Sequence, residues 1–139
     1  MSDQAPDVVG VAPLLEGRTC QKLLCLELWD GSHLEDEANA AYILVDEVWH
    51  QLGFDTNIVF WRSGSTAPVA CEEDGSPFRA RLRDLGRELG VDNVVISELS
   101  ARRSGSSSEV ELCFAGGPRV VFIGGEDDRT VVVPYPSGT

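Results

Sequence analysis

The stretch of sequence that decides the expected fold runs from 78 to 122, and its centre reads RELGVDNVVI at 87–96 and SELSARRSG at 97–105. Apolar residues ahead of Gly90 recur at steps of four and three, which predicts an amphipathic helix capped by Ser76. Glycine at position 90 supplies the left-handed residue that commonly ends a helix. The buried stripe of this helix would consist of Phe78, Leu82, Leu85 and Leu89.

The residues after this helix predict a hairpin made of strands at 93–102 and 109–114. A turn at 104–107 sets a register in which apolar residues face apolar residues and a positive charge faces a negative one. Glycine pairs then turn the chain into two further strands, at 119–123 and 130–133. The predicted cross-strand pairs are Leu99 with Leu112, Ala101 with Val110 and Arg102 with Glu109.

The first half of the chain predicts a strand, a helix and a second strand. The apolar run at 22–29 is typical of a buried strand. Ser32 and Glu35 form a capping box, so a helix is expected to begin directly after Ser32, and Gly53 provides its end. Residues 55–62 predict the second strand. The stripe that this helix would bury consists of Leu34, Ala38, Ala41, Val45, Val48 and Leu52.

The order of these elements predicts an α/β (α+β) fold with a single open mixed sheet. Two strand–helix units lead into a third strand and an antiparallel meander, and both helices are expected to pack on the sheet. The predicted domain spans 18–136, because residues 1–17 lack sustained periodicity and are expected to form a flexible arm, with an edge strand at Val8, Val9 and Val11 as the alternative. Residues 137–139 are expected to form a disordered tail.

The run from 87 to 105 resembles the amino-terminal domain of TolB and the related CsgG and LpoB lipoprotein class, in which a helix ending in ELGV leads into a strand and a meander. The similarity covers roughly 23–122. It implies an α/β domain that docks to other proteins, in envelope complexes, in secretion pores or as an activator of a synthase. Two features depart from the family: residues 29–31 replace a proline-containing turn, and the loop at 63–76 is long for the class.

The chain is strongly acidic. Its 139 residues include 23 acidic and 11 basic ones, which gives a net charge of −12. This balance argues against binding to nucleic acid or anionic lipid and favours neutral or basic partners. No apolar run reaches the roughly 20 residues of a membrane-spanning helix, and Met1–Val8 lacks the features of a secretory signal. We expect a cytoplasmic protein with no membrane insertion, or a periplasmic or lipoprotein-derived one if a signal peptide has been removed.

Residues that carry chemistry are few. His33 and His50 would lie at opposite ends of the predicted first helix, about 25 Å apart, so they cannot share a metal or a proton relay. The four cysteines fit no metal or redox spacing and are expected to be reduced structural thiols. The glycine pairs precede strands and not helices, so they lack a phosphate cradle. We therefore expect no enzymatic activity, no cofactor and no metal.

One group of residues suggests a binding surface. Arg79, Arg83 and Arg87 recur every four residues, so on a helix they would form a stripe of guanidinium groups. Trp61, at a strand end beside Arg62, is the tryptophan most expected to be partly exposed, and tryptophan is enriched in binding hot spots. These five residues form the predicted partner-binding site, with the arginine stripe suited to an acidic partner. The alternative is an ordinary surface face whose arginines pair with neighbouring carboxylates.

The sequence therefore predicts a non-catalytic protein-binding or assembly module that docks to another protein, with a homodimer as a further possibility. The alternative function is an acidic inhibitor, such as a toxin-neutralising immunity protein or a nucleic-acid mimic, whose carboxylates block a basic active site. A binding module would expose one apolar or aromatic patch, whereas an inhibitor would present a contiguous acidic face.

Overall fold

The protein is mostly β-structure in the computed structural model, which describes residues 5–72, 74–125, 127 and 129–136. In chain order the described elements are β1 (Val8–Val9), β2 (Thr19–Cys20), β3 (Lys22–Asp30), β4 (His33–Val45), β5 (Val48–Asp55), β6 (Ile58–Ser65), β7 (Cys71–Glu72), β8 (Phe78–Asp84), α1 (Leu85–Leu89), β9 (Val94–Ser104), β10 (Ser107–Phe114), β11 (Arg119–Gly124) and β12 (Thr130–Tyr135). The predicted α/β fold with two helices on a sheet is therefore wrong, because most of the apolar segments pair as strands.

Two curled sheets make up the fold. The larger has seven strands in the order β1-β6-β5-β4-β3-β8-β7, and the smaller has five in the order β12-β11-β10-β9-β2. The pairing is antiparallel throughout the described strands except between β1 and β6. The chain passes from the smaller to the larger sheet at Gln21, the single residue between β2 and β3.

Buried side chains from the facing surfaces of the two sheets form one hydrophobic core. The alternation is clearest on β10, where every second residue from Ser108 to Phe114 is buried. This period of two is the pattern of a strand with one face on a core. Leu15 from the N-terminal segment and Leu85 from α1 join the same core.

Two carboxylates on β4 join the larger sheet to the outer edge of β12. Asp36 accepts hydrogen bonds from the amide of Thr130 at 3.0 Å and from the amide of Ala38 at 3.2 Å. Glu37 accepts a hydrogen bond from the amide of Val132 at 3.0 Å. The β4 strand is bulged against β3 in this region, which bends it. Two outward amides of β12 are thereby satisfied without a neighbouring strand, which protects this sheet edge from pairing with another chain.

The first predicted helix is a β-hairpin. Residues 33–52 lie in β4 and β5, joined by a turn at Asp46 and Glu47, whose φ angles are 51° and 62°. The helical spacing gives the wrong prediction because several residues of the predicted stripe also fit an alternating pattern and are buried in the sheet. Gly53 lies inside β5 and ends no helix. The positions shared by both patterns include Ala38, Ala41, Val45 and Leu52.

The second predicted helix is mostly a strand. Residues 78–84 form β8, and only Leu85–Leu89 is helical. Arginines alternate with Ala80 and Leu82 in β8, a period of two that competes with the helical spacing. The predicted helix end is confirmed, because Gly90 has a left-handed φ of 70° and its amide donates to carbonyls of the preceding turn.

The second half of the chain agrees with the sequence prediction. The β9–β10 hairpin has the predicted register, and β11 and β12 follow as the predicted meander. The turn is tighter than expected, because Ser104 already pairs with Ser107. The confirmed cross-strand pairs are Leu99 with Leu112, Ala101 with Val110 and Arg102 with Glu109.

The ends of the predicted domain are described only in part. Val8 and Val9, within the segment predicted to be a flexible arm, pair with β6 at one edge of the larger sheet. The predicted tail at 137–139 lies outside the described residues. Among the residues that the structure describes, no helix is long and apolar enough to cross a membrane.

Candidate protein-binding face

The outward surface of the larger sheet is apolar over its central strands. On β3, Leu23 and Cys25 are buried in the core, whereas Leu24 and Leu26 point to the opposite side and are partly exposed. Apolar residues on both faces are typical of a strand that is covered on both sides. We call this surface the outer apolar face. Its members are Leu24, Leu26, Leu28, Ala40, Tyr42, Leu44, Trp49, Phe60, Phe78, Ala80 and Leu82.

Cross-strand pairing places these side chains next to one another, because residues directly opposite on neighbouring strands point to the same side of a sheet. A second contact ties the centre of the face together, since the rings of Tyr42 and Trp49 meet edge to face with centroids 6.4 Å apart. One row of cross-strand partners spans five strands and consists of Asp84, Leu24, Tyr42, Gln51 and Arg62. Its two ends are charged, and the uncharged residues Leu24, Tyr42 and Gln51 lie between them.

No described helix or strand packs over the outer apolar face. The α1 helix contributes to the core on the other side of the sheet, and β12 meets the bulged part of β4 along an edge. Phe78, at one end of the face, is 63% exposed. Monomeric proteins rarely leave a contiguous apolar surface open, and such surfaces mark contacts with other proteins. Few charges and several aromatic side chains, here Tyr42, Trp49 and Phe60, are also the composition of interface centres.

The outward surface of the smaller sheet has a different character. Arg102 lies 2.7 Å from Glu109 and 3.2 Å from Glu111, and Arg119 lies 2.7 Å from Glu111. Burial acts to raise the pKa of Glu111, but hydrogen bonds from Arg119 and Arg102 outweigh it and hold that pKa below its usual value. Arg119 also lies over the ring of Tyr135, 3.8 Å from the centroid. These charges satisfy one another within the chain.

The predicted arginine stripe does not form a helix face. Arg79 and Arg83 lie on β8, on the side of the sheet opposite the outer apolar face. Arg83 makes a bidentate pair with Glu88, with both contacts at 2.9 Å, and Arg79 lies 3.7 Å from Glu72. The alternative of an internally paired surface therefore describes these two arginines. Arg87 lies on α1 with an exposed side chain.

Trp61 and Arg62 are adjacent in sequence but lie on opposite faces of β6. Trp61 is 7% exposed and packs in the core, opposite Leu52. Arg62 is exposed on the outward side, opposite Gln51, and makes no ion pair with another described residue. The structure thus does not bring the five predicted site residues together on one surface, and of these only Arg62 borders the outer apolar face.

One polar pair was not predicted from the sequence, because His50 was placed in a helix and Ser63 in the loop after the next strand. Nδ1 of His50 on β5 lies 2.7 Å from Oγ of Ser63 on β6. Burial and the nearby Arg18 lower the pKa of His50. Both residues line a pocket of about 410 Å³ beneath the N-terminal segment.

This pair has the spacing of a nucleophile and its base, but it lacks further parts of a catalytic site. Asp46, which lines the same pocket, is paired with Arg18. Within the described part of the chain, the other ring nitrogen of His50 has no hydrogen-bond partner that would orient the imidazole. The geometry therefore supports a polar contact between two strands more than it supports catalysis.

The cysteines and potential metal ligands form no second site in the described ranges. All four cysteines are free. Burial raises the pKa of Cys20 and of Cys25 to about 12, so both thiols stay protonated and unreactive at neutral pH. No group of three or more His, Cys, Asp or Glu side chains in these ranges is arranged to hold a metal ion.

Comparisons with known proteins do not assign the chain to a family, since no family model, no curated protein and no solved structure matches it. The similarity to TolB and its relatives therefore stays a prediction from the sequence, while the α/β architecture that it implied is wrong.

Proposed function

We propose that this protein is a non-catalytic protein-binding module whose docking surface is the outer apolar face. The proposal rests on the apolar character of both faces of β3, because Leu23 and Cys25 are buried in the core whereas Leu24 and Leu26 on the other face remain partly exposed. A partner with an apolar surface of its own would bury the outward side. Each Å² of apolar area removed from water contributes roughly 25 cal/mol, so such a contact stabilises a complex without strong charge pairing.

The charge on this face fits a neutral, apolar partner surface. The cross-strand rows through Leu24, Leu26 and Leu44 include only three charged residues, Lys22, Arg62 and Asp84. Two of these charges are positive and one is negative, so these central rows are almost neutral although the whole chain has a net charge of −12. Charge therefore does not repel an apolar partner from this surface.

The described carboxylates favour this function over an acidic inhibitor. An inhibitor that imitates nucleic acid needs free carboxylates on one face. Here many carboxylates are engaged within the chain, by arginines or by the amides of β12. Those engaged by arginines include Asp46, Glu72, Glu88, Glu109 and Glu111, and those bound to β12 are Asp36 and Glu37.

The test uses the full chain as immobilised bait in an extract of its source cells, followed by binding measurements with each purified candidate partner. Leu26→Glu and Phe78→Glu place a charge on the outer apolar face. Val131→Glu is the matched control, since Val131 is 46% exposed on the outward side of the smaller sheet. We expect the wild type and Val131→Glu to bind the same partner and both face variants to lose it, with folding of each variant verified by circular dichroism.

Two results would contradict the proposal. A partner that binds all four proteins equally would dock elsewhere on the molecule. A wild-type dimer in sedimentation velocity that dissociates in Leu26→Glu and Phe78→Glu would mean that a second copy of the chain occupies the face, and not another protein.

A further inference from the structure

A polar pocket lies at the edge of the outer apolar face, next to the second half of β6 and the segment that follows this strand. It has a volume of about 610 Å³. Tyr42, Gln51 and Arg62 line it, together with residues 63–65 at the end of β6 and residues 66–69 of the segment that follows. The three sheet residues are cross-strand partners in one row, so their side chains share a side of the sheet.

This pocket is electropositive within an acidic chain. Arg62 is the one charged residue among those that line it, and none of the lining residues is a carboxylate. Other arginines, such as Arg83, Arg102 and Arg119, each bind a carboxylate of the chain. Arg62 has no such partner among the described residues, so its guanidinium group is available to a ligand.

A second polar group in the lining also lacks a partner. The hydroxyl of Ser65 is buried and makes no hydrogen bond to another described residue. Buried polar atoms are hydrogen-bonded in the great majority of cases, and an ordered water or a ligand is among the explanations of an exception. Gln51 and Tyr42 supply hydrogen-bond donors in the lining of the pocket.

We propose that this pocket binds the side-chain carboxylate of an aspartate or glutamate on the docked protein, with Arg62 as its main contact. The inference rests on the proposed function, because the pocket adjoins the outer apolar face. A guanidinium fork matches a carboxylate in shape and charge. A single cation suits a single negative charge, whereas phosphate sites combine several cations or a helix N-terminus, and neither lines this pocket.

The test is a titration of the full ¹⁵N-labelled chain observed by NMR. The probe is N-acetyl-glutamate α-amide, its neutral isostere is N-acetyl-glutamine α-amide, and inorganic phosphate is the third ligand. We expect the glutamate probe to shift the side-chain amide of Gln51 and the backbone amides of 63–66 in a saturable way. The neutral isostere should not produce these shifts, and phosphate should bind more weakly than the carboxylate.

Variants assign the effect to Arg62. Arg62→Gln should raise the dissociation constant of the probe about tenfold or more, because it removes the charge and the fork. Arg62→Lys keeps the charge without the fork and should lie between Arg62→Gln and the wild type. Arg87→Gln is the matched control, an exposed arginine outside the pocket, and should bind as the wild type does.

Several outcomes would overturn the inference: equal shifts with the neutral isostere, tighter binding of phosphate, or unchanged binding in Arg62→Gln. The proposed function has its own readout, which is the loss of the protein partner in Leu26→Glu. If Leu26→Glu loses the partner while the glutamate probe does not bind the pocket, the carboxylate site is refuted and the proposed docking face is retained. A pocket that binds the probe while Leu26→Glu still binds the partner would refute the docking face alone.

Discussion

At the scale of single residues, Asp36 links the two sheets, although its strand β4 and the strand β12 do not pair in a ladder. It is 7% exposed and accepts from the amides of Thr130 and Ala38. Asp36→Ala should lower the free energy of unfolding by about 1–3 kcal/mol, because two buried amides lose their acceptor. Asp36→Asn retains an oxygen at the same place and should cost less. Urea unfolding of both variants at neutral pH measures the difference, and an equal loss in the two would contradict the role of the oxygen.

The same residue makes stability depend on pH. Burial raises the pKa of Asp36 above its ordinary value, in spite of the opposing hydrogen bonds from Thr130 and Ala38. The folded state then holds the proton more tightly than the unfolded state, so the contribution of Asp36 to stability is greatest below its ordinary pKa and is lost as pH rises through the folded-state pKa. The unfolding free energy of Asp36→Asn minus that of the wild type should therefore rise with pH over this interval. A flat or falling difference would contradict the shift.

His50 and Ser63 provide a test of the expectation that the protein is not an enzyme. Their 2.7 Å contact lacks an orienting carboxylate among the described residues, so we expect Ser63 to remain unlabelled by a fluorophosphonate probe, which reacts with activated serines. His50→Ala should keep the circular dichroism spectrum of the wild type and leave partner binding unchanged. Covalent labelling of Ser63 that disappears in His50→Ala would show an activated nucleophile and overturn the non-catalytic proposal.

At the scale of elements, the β9–β10 hairpin yields a prediction about packing. Leu112 on β10 is 1% exposed, while its cross-strand partner Leu99 is only partly buried. Leu112→Ala should cost about 2–5 kcal/mol of unfolding free energy, because the cavity that it leaves lies inside the core. Leu99→Ala should cost less, since part of that side chain is already in contact with water. Urea unfolding compares the two, and a larger loss for Leu99→Ala would contradict this packing.

The β9–β10 hairpin could be predicted because the residues that specify it lie close together in the sequence. A short polar turn and matching residues on both sides, such as Arg102 with Glu109, leave one register. The β4–β5 hairpin could not, because Ala41 and Val45 satisfy helical and alternating spacing equally well. Pairing with β3 selects the strand over the helix. Pairing between separate segments of the chain cannot be recognised in a single window of sequence. The carboxylate link from β4 to Thr130 is more distant still and has no local signal.

The candidate site could also be predicted from the sequence in part. The run LLCLEL at 23–28 shows apolar residues at both odd and even positions, which indicates a strand apolar on both faces. That one of these faces stays partly exposed depends on the whole fold and could not be predicted from this run. Arg62 was identified as a contact residue, but its grouping with Arg79 and Arg83 depended on a helix that does not form.

At the scale of the whole molecule, the charge is unevenly distributed. The smaller sheet presents arginines and carboxylates that pair with one another, such as Arg102 with Glu109. The central rows of the outer apolar face carry almost no net charge, although the chain as a whole has a net charge of −12. A partner that contacts this face therefore meets little of the negative charge of the protein directly.

This distribution predicts how salt affects binding, and the prediction separates the docking module from an acidic inhibitor. Mobile ions screen exposed charges over a Debye length of roughly 10 Å at 0.1 M salt, while apolar burial is not screened. The affinity of the wild type for its purified partner should therefore fall only slightly as sodium chloride rises from about 0.05 to 0.5 M, by the amount expected for the single contact at Arg62. Arg62→Gln should remove most of that small dependence. An inhibitor that docks its carboxylates in a basic site would instead lose affinity steeply with salt, and a steep loss that survives in Arg62→Gln would favour that function over the docking face.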